Sequence, residues 1–146
     1  MTDFRRLSDR VSASPQITVE DVRAAAAEGF TAIVNNRPDD EEPGQPDGAA
    51  IEAAAREEGL AYHAIPISGG QFGDEQIRAM REALGSSDGP VLAFCRSGTR
   101  STLLWSMAQA EAGHDLNEIA TQAAAAGYDV SPIAGMLQAL SSRRRD

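Results

Sequence analysis

The chain has 146 residues, a formal net charge of −9 and a sequence pI near 4.6, with thirteen arginines and no lysine. That length can bury one core, the acidity argues against nucleic acid, and the missing lysine excludes Schiff-base and Walker-type phosphate chemistry. One cysteine allows no intramolecular disulfide, and two scattered histidines give no metal-ligand spacing, so neither a metal nor a cofactor is expected. Met1 to Arg6 contains no apolar signal region and no apolar run approaches membrane-spanning length. The sequence therefore reads as a soluble, cytoplasmic, single domain over residues 1–146, with no membrane or nucleic-acid partner.

In chain order, Leu7 to Ser14 alternates weakly and predicts a first strand. Thr18 caps a helix with acids in its first turn, ended by Gly29. Phe30 to Asn35 predicts a buried strand, and the proline-rich segment Asn36 to Asp47 a loop. That loop carries Arg37 and the acidic run Asp39-Asp40-Glu41-Glu42, read first as solvated surface and second as a source of a catalytic acid. A helix over about Gly48 to Glu58 buries Ile51, Ala54 and Ala55. Leu60 to Ile67 is the next strand, with His63 read as a satisfied side chain at the sheet surface. The glycine-rich Ser68 to Gly73 should lie in the crevice at the carboxyl ends of the strands. Asp74 is read as the cap of the following helix, and secondarily as a possible general acid.

The segment Val91 to Phe94, bounded by Gly89-Pro90, has the continuous hydrophobicity of a strand buried on both faces. From Thr99 the apolar spacing becomes helical, through Leu103, Leu104, Met107, Ala108 and Ala112. Cys95 therefore sits at a strand-to-helix turn, where free backbone N–H groups and the positive end of the helix dipole stabilise an anion or a thiolate. Two arginines and three hydroxyl residues follow it, in Arg96-Ser97-Gly98-Thr99-Arg100-Ser101. Gly98 permits close backbone approach, and Arg100 offers a planar fork to a tetrahedral oxyanion. A helix from Asp115 or Asn117 turns Leu116 and Ile119 inward and stops at Gly127. A last one starts at Ser131-Pro132 and buries Ile133, Met136, Leu137 and Leu140, before a frayed tail over Arg143 to Asp146. Alternating strands and helices give an α/β fold: one three-layer domain with a mainly parallel sheet of four or five strands between helices.

Cys95 to Ser101 resembles the active loop of single-domain rhodaneses, which carry sulfur as a cysteine persulfide. It also resembles a protein tyrosine phosphatase loop shortened by one residue. Phosphatases place five residues between Cys and Arg and usually put His before the cysteine, whereas here four intervene and Phe94 precedes. Over about Leu7 to Tyr128 the chain resembles the phosphatase-like domain of beta-lactamase-hydrolase-like proteins. The resemblance runs through Ser14-Pro15-Gln16-Ile17-Thr18, Val34-Asn35-Asn36-Arg37-Pro38, Gly59-Leu60-Ala61-Tyr62, Ile65-Pro66-Ile67, the cysteine loop and Ala126-Gly127-Tyr128. It implies a dual-specificity-phosphatase-like fold.

The family's phosphatase relatives take a general acid from the segment after the Ile65-Pro66-Ile67 strand, here Ser68-Gly69-Gly70 without an acid; the nearest is Asp74. Sulfur transfer asks for less, because sulfite leaves thiosulfate without a strong general acid. The sequence thus places rhodanese-type sulfur transfer first. Cys95 is nucleophile and persulfide carrier and Arg100 the anion clamp, with Arg96 on the donor. Ser97, Gly98 and Thr99 supply cradle N–H groups, and Ser101 a hydrogen bond to the thiolate. The partners are a small anionic or persulfide substrate and a thiol acceptor. A link to a persulfide dioxygenase follows from the resemblance alone. The alternatives are a phosphomonoesterase working through a Cys95 phosphocysteine, and a non-catalytic anion- or persulfide-binding module.

Overall fold

The computed structural model describes residues 2–143. Its elements are β1 (Arg5–Arg6), β2 (Val11–Ser14), α1 (Val19–Ala27), β3 (Ala32–Asn35), α2 (Gly48–Glu57), β4 (Ala61–Ala64), α3 (Asp74–Ser86) and β5 (Val91–Phe94). They are followed by α4 (Thr99–Glu111), α5 (Leu116–Ala125), a 3₁₀ turn (Ser131–Ile133) and α6 (Ala134–Arg143). The strands form one sheet in the order β1-β2-β5-β3-β4, parallel throughout except that β1 runs antiparallel to β2.

Successive side chains of a strand point to opposite faces, and that alternation divides the core in two. Ala32, Val34, Val91 and Ala93 turn to one face, where they join Ile77 and Met80 of α3, Leu104, Trp105 and Met107 of α4, Ile119 of α5 and Leu137 and Leu140 of α6. Ile33, Leu92 and Phe94 turn to the other, against Val22 and Ala25 of α1 and Ile51, Ala54 and Ala55 of α2. The result is a three-layer α/β arrangement around a mainly parallel sheet. Among the described residues, no helix is long and apolar enough to cross a membrane.

β5 is the central strand, paired with β2 on one side and β3 on the other, and it aims Cys95 at the carboxyl edge. α4 leaves that edge and runs through the interior, with Ser101, Thr102, Leu104, Trp105, Ser106, Met107, Ala108 and Ala110 all buried. Burial around most of its girth explains why small and hydroxyl residues alternate with large apolar ones: they let α4 approach the sheet and three helices at once. The hydroxyls of Thr102 and Ser106 bond back to the carbonyls of Gly98 and Thr102, which removes the cost of burying them.

Several expectations are corrected. The strand expected over Leu7 to Ser14 is only Val11–Ser14, because Leu7 and Ser8 turn back to bond the Val11 carbonyl and bring β1 alongside. Asp74 is the first residue of α3; its cap is Gly73, whose N–H donates to the Gln76 side chain. His63 is half-buried and its Nε2 has no hydrogen-bond partner, so burial lowers its pKa. Met136 faces outward on α6, whose contact stripe is Leu137 and Leu140. Arg143 is held by Asp74 and Glu111, so the tail is anchored at this point; Arg144 to Asp146 lie outside the described residues.

Candidate active site

Cys95 follows β5 directly and is fully buried, its N–H donating to the Ser14 carbonyl at 3.3 Å. The chain then turns through Arg96 and Ser97 and enters α4 at Gly98, whose φ of 94° is a left-handed conformation suited to glycine. This turn swings the Gly98 N–H back onto the Cys95 sulfur, N to Sγ 3.1 Å. The sulfur thus lies at the N-terminus of a 13-residue helix and already receives one backbone donor, an arrangement that favours a thiolate or a bound anion. The segment after β2 braces the same turn, since the Gln16 N–H donates to the Arg96 carbonyl.

Arg100, in the first turn of α4, donates from Nη1 to the Ile67 carbonyl at 2.8 Å. The residue just before the glycine-rich Ser68–Gly73 loop thus meets the first turn of α4. The larger finding concerns the acidic run. Glu41 takes both terminal nitrogens of Arg100, Nη1 on Oε2 and Nη2 on Oε1, each at 2.8 Å. Its Oε1 also accepts from Nε of Arg37 at 2.8 Å. Glu42 accepts from Arg37 Nη2 at 2.9 Å and lies 3.6 Å from Arg96. Glu41 and Glu42 lie at the surface, as the solvated reading has it, but there they are engaged by three arginines, which that reading did not foresee.

The loop that carries them is cross-braced. Gly48 N–H donates to Asp39, Gln45 donates to the Pro38 carbonyl, and Glu41 N–H donates to Gln45 Oε1. Arg37 anchors it from below. Only 3% exposed, its guanidinium is spent on Gln16 Oε1, Glu41 and Glu42. Burying a guanidinium costs several kcal/mol unless it is paired and bonded, on the order of what such charge-assisted contacts return. Burial opposes the charge on Arg37, the bonds to Glu41 and Glu42 more than offset it, and the net pKa is raised.

The electrostatics follow from these contacts. The bidentate bond to Arg100, aided by Arg37, pulls the Glu41 pKa from 4.5 to about 2. The Arg37 bond and the nearby Arg96 charge lower that of Glu42. Arg100 is raised first by Glu41 and, less, by Cys95, close enough to act on it.

The remaining sequence-derived residues fall as follows. Arg96, Ser97 and Thr99 are exposed on the loop, and the Ser97 and Thr99 hydroxyls bond each other at 2.9 Å. Ser101 is buried and its hydroxyl donates to Asn36 Oδ1 at 2.8 Å, while Asn36 Nδ2 donates to the Ile65 carbonyl. A hydroxyl has one proton, so in this arrangement Ser101 ties α4 to β3 and β4 and does not donate to Cys95. Asp74 is separated from the loop. Arg143 joins it to Glu111, which closes the far end of α4, about 18 Å of helix axis from Thr99. The Asp74 reading as general acid is corrected on that ground. Sequence reasoning missed Asn36, the burial of Arg37, the pairing of Glu41 with Arg100, and Tyr128, whose hydroxyl donates to the Ser97 carbonyl at 3.0 Å.

The fold and loop agree with known proteins. Residues 3–112 match the family described as beta-lactamase hydrolase-like protein, phosphatase-like domain. The chain is 37% identical over 105 residues to the beta-lactamase hydrolase-like protein of Agrobacterium fabrum, covering 72% of this chain and 24% of that one. The chain thus spans about a quarter of that relative's length. Among solved structures it is 33% identical to a candidate phosphatase of Neisseria meningitidis Z2491, with a TM-score of 0.83 and coverage of 96% of this chain and 99% of that one. Tk-PTP, at 19% identity, a TM-score of 0.71 and 97% coverage of each chain, shares the fold. The architecture is that of protein tyrosine phosphatases and the chain is a phosphatase-like enzyme: it belongs to the phosphatase-like domain family of beta-lactamase hydrolase-like proteins.

Proposed function

We propose that the chain is a cysteine-dependent phosphatase-like hydrolase, with Cys95 as nucleophile and Arg100 as anion clamp. The observation that carries this reading is the convergence of Cys95 and Arg100 on one helix N-terminus at the carboxyl edge of a phosphatase-like sheet. In the first step the Cys95 sulfur bonds phosphorus as the phosphorus–oxygen ester bond breaks, and the leaving oxygen takes a proton from water. In the second, water attacks phosphorus, the sulfur–phosphorus bond breaks and inorganic phosphate departs. Loop N–H groups and Arg100 stabilise the equatorial oxygens in both steps. Arg96, Ser97, Gly98, Thr99 and Ser101 build the cradle, Ser101 by way of Asn36.

The leaving group limits the substrate. Glu41 and Glu42 are held ionised by arginines and Asp74 lies elsewhere, so none of the three offers a proton to a departing alkoxide. Aryl phosphates, whose phenoxides leave without strong acid assistance, are the substrate class that fits. Steady-state hydrolysis of an aryl phosphate beside an alkyl phosphate tests this. Cys95-dependent turnover of the aryl ester, with little of the alkyl ester, is the expected result; equal turnover of both, or none by either, contradicts it.

A second reading, rhodanese-type sulfur transfer, keeps support from one specific observation. Only four residues separate Cys95 from Arg100, and Glu41, the carboxylate seated on Arg100, is held ionised. There the Cys95 sulfur would attack the outer sulfur of thiosulfate, sulfite would depart, and an acceptor thiol would take the sulfur from the persulfide. Thiocyanate formation from thiosulfate and cyanide, dependent on Cys95, would favour this reading over the first.

A further inference from the structure

We infer that Tyr128 is a positioning residue that controls the reactivity of Cys95 through a single peptide group. Its hydroxyl donates to the Ser97 carbonyl at 3.0 Å. The N–H of that same peptide unit belongs to Gly98, and it donates to Cys95 Sγ at 3.1 Å. In a planar trans peptide the C=O and N–H point in opposite directions, so holding the carbonyl on one side aims the N–H on the other. Drawing electron density toward the Ser97 oxygen also makes the Gly98 N–H a stronger donor, because hydrogen bonds in a chain polarise one another. Tyr128, Ser97–Gly98 and Cys95 thus form one relay from the α5–α6 connection to the reacting sulfur.

Tyr128 is itself held. It is 8% exposed, and the guanidinium of Arg5, from β1, lies 5.2 Å over its ring while being bonded to Asp3. The contact leaves no freedom on the loop side: a methyl at Gly98 would overlap the Tyr128 hydroxyl. Glycine at 98 therefore meets two demands, a φ of 94° and room for the phenol. Tyr128 lies beyond residues 3–112, so this brace on the loop comes from outside the matched segment.

The inference rests on Cys95 as the reacting group and on neither the phosphate nor the sulfur chemistry. Alkylation by iodoacetamide reads the sulfur with no substrate present, so the failure of either functional reading leaves it testable. Charged groups that face the sulfur or its brace are Arg100 from α4, with Glu41 beyond it, and Arg5 across the Tyr128 ring, with Asp3 bonded to it; all are kept in Tyr128→Phe. Removing one donor hydrogen bond from the relay should slow Cys95 alkylation at neutral pH about fivefold and move its pH profile upward. Restored rate at high pH is part of the expectation, since a merely loosened loop would alkylate faster at every pH. A folded Tyr128→Phe with an unchanged profile, or a uniformly faster one, overturns the proposal. A second measurement needs no variant: in the unmodified protein the Gly98 amide proton and the Tyr128 ring resonances should both shift with the midpoint of Cys95 alkylation. Tyr128 resonances that stay still while Gly98 moves overturn the coupling.

Discussion

Glu41 holds both terminal nitrogens of Arg100, at 2.8 Å each, and so occupies the fork that the proposed function assigns to an anionic substrate. The two residues stand 59 positions apart in the chain, and the pair is mostly shielded, with side-chain exposures of 18% for Arg100 and 28% for Glu41. Any oxyanion reaching Cys95 must share or displace this carboxylate.

Glu41→Gln therefore removes a competitor. It should lower KM for an aryl phosphate, and the inhibition constant of inorganic phosphate, by about three- to tenfold, as expected for one like charge withdrawn at close range. Steady-state kinetics at low ionic strength check this. An unchanged or raised KM would show that Glu41 and the substrate do not meet.

The same pair sets a pH dependence of stability. The folded-state pKa of Glu41 lies near 2, below its ordinary 4.5, so its contribution is complete above 4.5 and is lost as pH falls from there toward 2. Urea midpoints of wild type and Glu41→Gln should differ most at neutral pH and converge as pH approaches 2. A gap that stays constant across that range contradicts the assignment.

Arg37 is the post on which the acidic loop stands. Arg37→Ala leaves Glu41 and Glu42 without their buried partner and Gln16 Oε1 without a donor, and should destabilise the fold by about 3 kcal/mol. Arg37→Lys should recover only part of that loss, because an ammonium cannot serve three acceptors in the plane of a guanidinium. Equilibrium unfolding measures both; a lysine variant as stable as wild type would show that charge alone suffices.

Ser101→Ala separates structural from chemical roles in the loop. It removes the donor to Asn36 Oδ1 and leaves a buried acceptor unmet, so it should cost about 1–3 kcal/mol of stability. Cys95 alkylation should change less than twofold, since the sulfur's resolved donor is the Gly98 N–H. Loss of alkylation rate with unchanged stability would return Ser101 to the thiolate.

The parts of the molecule written in short-range pattern were legible in the sequence. Val91–Phe94 announces a central strand by unbroken hydrophobicity, Thr18 and Asp21 form the capping box of α1, and Cys95 and Gly98 mark a turn into a helix. What escaped depends on distant partners. Nothing local to Asp39-Asp40-Glu41-Glu42 says that two of its acids meet Arg37, Arg96 and Arg100, so the run looks like any solvated surface. Tyr128 enters the sequence only as the end of a family resemblance, with no role until the fold brings it to Ser97, 31 positions earlier. β1 is two residues long, too short to show alternation. Asp74 has the composition of a cap and sits one residue inside the helix, where Arg143 takes its charge away from any catalytic use.

The most direct test is the intact mass of the protein after brief incubation with an aryl phosphate and, separately, with thiosulfate, each beside Cys95→Ser. The phosphatase reading predicts a transient gain of one phosphoryl group that requires Cys95 and decays to free phosphate. A gain of one sulfur atom from thiosulfate, with no phosphoryl adduct and no phosphate release, would contradict it and establish the persulfide chemistry in its place.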